Sequence, residues 1–278
     1  MNAAEWKKTA VERLKRSGDI DAEADTNLFL CAILELEPWE LRLRLETELS
    51  ETQLSKLYEM LRRRESGEPE QYIEGVSYFM GHRFIIDKRA LIPRQDTETL
   101  CERAINEIKC LKYKDVLDLC CGSGCIGISA KLACPWIKVD ACDISADAVE
   151  LTKLNASHNG VDISAFTSDG FNSLNSQEYD LILCNPPYLT KDDMQCLQTE
   201  VRHEPALALF GGDDGLDFYR RFALEMKPHL RRGGTAIFEF GQGQAKDICA
   251  IFKANYPESH IEIINDINGI ERDILMRI

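Results

Sequence analysis

Apolar positions along this chain change their period twice, and the changes mark out its parts. Up to about residue 65 they recur every three or four residues, the spacing of one helical face: Trp6, Ala10, Val11 and Leu14, then Leu28, Phe29, Ala32 and Ile33, then Leu54, Leu57, Tyr58 and Leu61. The last stripe follows Ser50-Glu-Thr-Gln53, which has capping-box spacing, and Gly67 and Pro69 close it. Pro38 is suited to open a further short helix running to Leu45. The pattern predicts a helical bundle over residues 1–70. Over 71–92 the apolar residues cluster as Tyr72, Ile73, Val76, Tyr78 and Phe79, then Phe84, Ile85 and Ile86, around Gly81-His82; this predicts a β-hairpin linker. The segment Leu91-Ile-Pro-Arg-Gln-Asp-Thr-Glu98 then enters a helix, with Asp96 or Thr97 as its N-cap.

Beyond residue 93 the pattern becomes strand, turn, helix, repeated. Short apolar runs at 115–119, 137–142, 163–167, 179–184, 234–240, 260–264 and 273–277 read as strands, with helices between them at 124–133, 145–157 and 215–231 among others. Alternation of that kind predicts an α/β fold of Rossmann type with a mostly parallel sheet over 93–278. The connection 189–214 is long for a compact domain and is marked as functional or mobile by its length.

Two segments at predicted strand ends carry chemistry. Asn185-Pro-Pro-Tyr188 stops the strand 179–184 abruptly, since neither proline donates to a sheet ladder. The result is a rigid elbow where open α/β sheets bind ligands. The Asn185 side chain and the Pro186 carbonyl can accept the two hydrogens of a planar NH2 group, while Pro186 and Pro187 supply no competing N–H. Tyr188 is positioned to close over such a substrate, its ring face attracting a cation. Upstream, Val116-Leu-Asp-Leu-Cys-Cys-Gly-Ser-Gly-Cys-Ile126 offers a glycine turn, Gly122-Ser123-Gly124, opening a helix: a site for a carboxylate or a phosphate. Asp143 ends the next strand about 20 residues on, where an acid binds ribose hydroxyls. Asp118 stands just before the turn, either fixing the loop or meeting an ammonium. In Ser168-Asp-Gly-Phe171, Asp169 can accept from an adenine amino group and Phe171 can pack on its ring. Ribose-binding acid and NH2-aiming elbow together point to methyl transfer from S-adenosylmethionine (SAM) to an amide or amino nitrogen.

Charge and composition narrow the partners. The net charge of −14 weighs against general duplex binding, which needs Lys and Arg on phosphates, and fits a basic protein partner. A DNA or RNA amino-group methyltransferase is the alternative the elbow permits, and a non-catalytic methyltransferase-like binding protein is another. The polar start, the lack of an apolar run of spanning length and eleven cysteines without a secretion signal predict a cytoplasmic protein without disulfides or membrane contact. Cys120, Cys121 and Cys125 read as small core residues, not metal ligands; no metal site is expected, and monomer is the default state. His82, His158 and His203 read as ordinary turn, helix-end and loop residues.

Several longer segments carry a resemblance: Arg62-Arg-Arg-Glu-Ser-Gly-Glu-Pro69, Gln71-Tyr-Ile-Glu-Gly-Val76, Leu91-Ile-Pro-Arg-Gln-Asp-Thr-Glu98, Asn185-Pro-Pro-Tyr188, Val201-Arg-His-Glu-Pro205, Gly212-Asp-Asp-Gly-Leu216 and Asp266-Ile-Asn-Gly-Ile-Glu-Arg272. Over essentially its whole length the chain resembles the release-factor-specific protein-(glutamine-N5) methyltransferases. The resemblance implies a SAM-dependent fold with a seven-stranded sheet behind an N-terminal helical bundle; the hairpin at 71–92 between two differently patterned regions separately suggests that the bundle recognises the partner while the C-terminal domain does chemistry. It implies methylation of the glutamine in the Gly-Gly-Gln motif of class I peptide chain release factors. It carries Asn185 over as the residue that binds the substrate amide, and the Gly122–Gly124 turn and Asp143 as SAM contacts, with Arg94, Asp96 and Glu98 bordering the cleft. The chain departs from the family at Cys120-Cys121, where a Cβ replaces glycine and narrows the approach to the cofactor; weakened or unchanged SAM binding is expected.

Overall fold

The structure, a computed structural model, describes residues 1–278. It divides into two compact units: residues 1–75 with 198–203, and residues 76–197 with 204–278.

In the first unit, helices α1 (Ala3–Ser17), α2 (Ala22–Leu34) and α3 (Glu51–Glu65) pack around Trp6, Leu14, Phe29, Leu30, Leu57 and Leu61, all fully buried. Each such side chain contributes about 1.5–3 kcal/mol on burial. The α1 and α3 stripes match the pattern read from sequence, and Ser50 and Gln53 form the expected capping box. In α2 the buried face is rotated to Ala22, Asp25, Thr26, Phe29 and Leu30, leaving Ala32 exposed. The polar members explain the shift: Asp25 is buried to pair with Arg64 at 2.5 Å, a partner no apolar count reveals. Pro38 opens no α-helix; only a 3-10 turn, Leu41–Leu43, forms, because so short a segment offers too few bonds to offset nucleation. Residues 71–74 belong to a one-turn helix, α4 (Glu70–Glu74), bracketed by Pro69 and by Gly75 at φ +74°. The hairpin is therefore shorter than expected: β1 (Val76–Phe79) and β2 (His82–Ile85).

The second unit continues through α5 (Asp96–Leu111), β3 (Asp115–Leu119), α6 (Cys125–Ala133), β4 (Lys138–Asp143), α7 (Ala146–His158), β5 (Ser164–Thr167), β6 (Tyr179–Cys184) and the short α8 (Lys191–Gln195). It ends with α9 (Asp217–Glu225), β7 (Leu230–Glu239), α10 (Ala245–Asn255), β8 (His260–Asn265) and β9 (Glu271–Arg277). The expected helix 215–231 stops at Glu225, ahead of Pro228, and β7 begins earlier than the expected residue 234. Seven strands form one sheet in the order β5-β4-β3-β6-β7-β9-β8, parallel except for β9. The chain runs outward from β3 to β5 and then returns to pair β6 with β3, Leu119 lying opposite Cys184. The glycine turn and the elbow therefore leave adjacent strands at the switch point of the sheet, where such folds bind ligands.

Candidate functional site

At that switch point lies a cavity of about 380 Å³, with walls from the strap before α5, the turn after β3, the end of β4, the elbow after β6 and α9. Of the residues assigned to the site from sequence, Arg94, Gly122, Ser123, Asp143, Asp169, Asn185 and Pro187 line it, and Cys120, Cys121 and Cys125, read as core residues, line it as well.

The turn is built on backbone. Cys120, Gly122 and Gly124 all have left-handed φ, at +58°, +55° and +80°. A Cβ on Gly124 would lie 2.8 Å from Thr152 Cγ2, and one on Gly127 would lie 2.8 Å from Asp118 Oδ2, so both glycines are required by close packing. Asp143 holds the loop from the side: its Oδ2 accepts the Gly122 N–H at 3.0 Å and its Oδ1 the Ser145 N–H at 2.9 Å. Burial raises the Asp143 carboxyl above its usual value, and these N–H bonds oppose the shift. Each oxygen keeps a second lone pair for a ligand hydroxyl. Asp118 is fully buried behind the turn rather than in the cavity wall. Its Oδ2 accepts the Gly127 N–H at 2.8 Å, its Oδ1 has no partner, and burial pushes its carboxyl up to about 7. Gly124 likewise serves the turn and does not line the cavity.

Two aromatic assignments are corrected. Phe171 does not face the cavity; it packs edge-on to Phe222 (5.7 Å) and stacks on His229 (5.2 Å) inside the core. Ile144, half exposed beside Asp143, and Phe218 supply apolar wall instead. Tyr188 does not close over the cavity either. Its hydroxyl lies 3.4 Å from Glu239 Oε1, its carbonyl accepts from Gln244 Nε2 at 3.0 Å, and burial raises its phenol well above the ordinary range. Of the two elbow prolines, both buried, Pro187 lines the cavity and Pro186 does not.

The elbow is held from several sides by residues not assigned to the site beforehand. Asn185 Nδ2 donates to Thr97 Oγ1 at 3.2 Å, and Thr97 donates to Glu239 Oε2 at 2.5 Å. Thr97 is therefore not the N-cap of α5, and neither is Asp96; the cap residue is Gln95, with no side-chain cap bond. Asp96 instead pairs with Arg272 at 3.2 Å, and Glu98 accepts the Met80 N–H at 2.5 Å, so neither lines the cavity. Glu204 fastens the strap: one oxygen accepts the Ile92 N–H at 3.1 Å and the other pairs with Arg94. Arg221 grips Asp169 at 2.5 Å. Thr97 and Glu204 lie within motifs that carried the resemblance, which was the available signal; Arg221 and Glu239 lie in none. Glycines bring the end of the long connection against the elbow: a Cβ on Gly211 would sit 2.6 Å from the Pro187 carbonyl, and one on Gly215 2.3 Å from that of Tyr188.

Strand order, glycine turn and switch-point cavity define a SAM-dependent methyltransferase. Residues 97–205 match the Methyltransferase small domain family. Among solved structures, a methyltransferase from Pyrococcus furiosus superposes with TM-score 0.52 at 14% identity, covering 82% of this chain and 98% of that one. A Thermus thermophilus 16S rRNA N2 G1207 methyltransferase, in complex with AdoMet and guanosine, does so with TM-score 0.51 at 16% identity, covering 73% and 49%. At those identities the likeness is one of fold. Sequence relatives are nearer: residues 5–75 match the PrmC N-terminal domain family. A release factor glutamine methyltransferase of Geobacter sulfurreducens is 35% identical over 95% of this chain and 93% of its own length, and one of Bacillus cereus 33% identical over 88% and 89%. The chain belongs to the release factor glutamine methyltransferase family. A ribosomal protein uL3 glutamine methyltransferase of Bordetella pertussis is 34% identical over 81% of this chain and 76% of its own.

Proposed function

We propose that this chain transfers the methyl group of SAM to the side-chain amide nitrogen of the glutamine in the Gly-Gly-Gln motif of class I peptide chain release factors. The observation that carries this reading is Asn185, in the cavity wall with its NH2 engaged by Thr97 and its Oδ1 left for a ligand. The cavity suits the cofactor: Gly122 and Ser123 present turn backbone, Asp143 keeps lone pairs for ribose hydroxyls, and Ile144 and Asp169 lie where a base has an apolar face and an acceptor. When bound, SAM supplies an electrophilic methyl on a positively charged sulfur.

The enzyme's task is then orientation. An amide nitrogen is a poor nucleophile because its lone pair is delocalised into the carbonyl. Asn185 Oδ1 accepts one of its N–H groups, which aims the nitrogen and stabilises the positive charge that grows on it. Positioning of this kind is worth up to about 7–11 kcal/mol. Arg94 at the cavity mouth is held by Glu204 and is suited to steady the peptide next to the glutamine.

The helical bundle recognises the release factor. This is supported by the cavity being lined from residues 89–222 alone and by an exposed apolar pair on the bundle, Trp39 (69% exposed) and Leu43 (78%), beside Arg42 and Arg44. Adjacent exposed apolar side chains mark contact surfaces. No helix is long and apolar enough to cross a membrane; the proposed setting is a cytoplasmic monomer that acts on protein and not on nucleic acid.

Mass spectrometry of release factor after incubation with the protein and SAM tests the reading. One added methyl on the Gly-Gly-Gln glutamine is expected. Methylation of another protein's glutamine, or of RNA, with release factor untouched, would overturn the substrate assignment.

A further inference from the structure

The hydrogen-bond chain behind Asn185 has a direction. Thr97 has one hydroxyl proton and two near neighbours, Glu239 Oε2 at 2.5 Å and Asn185 at 3.2 Å. An ionised carboxylate only accepts, so the proton goes to Glu239, and Thr97 Oγ1 offers Asn185 nothing but lone pairs. The Asn185 carboxamide can meet a lone pair only with its NH2. Its oxygen is thereby turned away from Thr97, toward the cavity. Resting on the amide-methylation reading above, we propose that Thr97 and Glu239 are positioning residues that set the polarity of Asn185, making it an obligate acceptor and so selecting substrates that present an NH2 group.

The relay is shielded and held. Thr97 and Glu239 are 2% and 1% exposed. Glu239 is also approached by the Tyr188 hydroxyl at 3.4 Å, and the Tyr219 hydroxyl donates to its backbone carbonyl at 2.7 Å. Arg272 favours its ionised form and Asp96 opposes it, while the third group facing it, Asp273, is itself pushed up to about 8 by burial and by Glu239. Burial outweighs these and pushes the Glu239 carboxyl up to about 7. Once protonated, Glu239 can donate to Thr97, which frees the threonine proton to point at Asn185 and cancels the polarity. Turnover is therefore full above about pH 7 and falls as pH drops through that value.

The test uses the full-length protein, with release-factor kinetics, SAM affinity by calorimetry and hydrogen exchange of the Asn185 side-chain amide by NMR. Thr97→Val is expected to lower kcat about 10²-fold, with SAM affinity unchanged within about twofold and faster exchange at Asn185 Nδ2. Thr97→Ser should restore both kcat and exchange protection, and Glu239→Gln should remove the acid limb of the pH profile. Unchanged kcat and exchange in Thr97→Val, failure of serine to rescue, or an unaltered acid limb in Glu239→Gln would overturn the proposal. If the wild-type protein bound SAM but left release factor unmethylated, the substrate reading would fail, while Asn185 exchange would still decide the relay.

Discussion

The turn after β3 and the elbow after β6 leave neighbouring strands and face one cavity, yet they are made differently. The turn presents main chain: left-handed residues, glycines pressed on Thr152 and Asp118, and a carboxylate that holds a backbone N–H in place. The elbow presents one side chain, stiffened by two prolines and aimed by a buried relay through Thr97. A cofactor common to many enzymes can be met by generic backbone geometry. A particular nitrogen must be met by an acceptor of fixed direction. On this view damage to the elbow shows in turnover, and damage to the turn shows in cofactor affinity.

The sharpest break between the two is Asn185→Ala. It is expected to lower kcat by about 10³-fold, the scale for losing one transition-state partner, with SAM affinity nearly intact by calorimetry. Parallel loss of SAM binding would erase the distinction. Next in size, Asp143→Ala removes an acceptor shared by two backbone N–H groups and should weaken SAM binding about 10- to 100-fold. Its kcat at saturating SAM should fall far less.

A third test concerns stability. Burial lifts the Asp118 carboxyl to about 7, so the folded chain keeps a proton that the unfolded chain releases from about pH 4 upward. Stability from this group is therefore present at low pH and is lost as pH rises through about 7. Asp118→Asn keeps an acceptor for Gly127 without that loss. Its melting temperature should exceed wild type by about 3 °C or more at pH 8, with the gap closing toward pH 5. The smallest effect is expected at Cys120→Gly. Relief of a left-handed Cβ, at φ +58°, and greater freedom of the unfolded chain nearly cancel, each being about 1 kcal/mol. The melting temperature should stay within about 3 °C, and SAM affinity should rise two- to threefold at about the same scale of strain relief. A fall in affinity would show that the Cys120 side chain contributes to the wall it lines.

What could be read from residues alone follows the range of the forces involved. The central strands β3 and β6 were legible because burial on both faces writes a continuous apolar run, and the elbow because two prolines admit few conformations. The bundle was legible from its stripes except in α2, where Asp25 is drawn inward by a charge far away in sequence. Phe171 and Tyr188 were misplaced for a related reason. A local pattern can put an aromatic ring near a ligand, but only the packed core reveals that His229 or Glu239 holds it first. Thr97 was legible as a possible cap and nothing more, since its partner, Glu239, lies 142 residues further on.

The long connection after the elbow has a consequence of its own. It is tied off at its base: Leu189 and Phe210 form a bridge, the Leu189 N–H donates to the Leu209 carbonyl at 2.9 Å, and the Gly211 N–H donates back to the Leu189 carbonyl at 2.8 Å. The intervening residues are thus a drawn noose whose knot is set against Pro187 and Tyr188, and whose last part, Glu204 to Ala208, reaches the strap and the cavity wall. Lengthening it, or nicking it between Asp192 and Leu197, changes what the loop can reach but not where the elbow points.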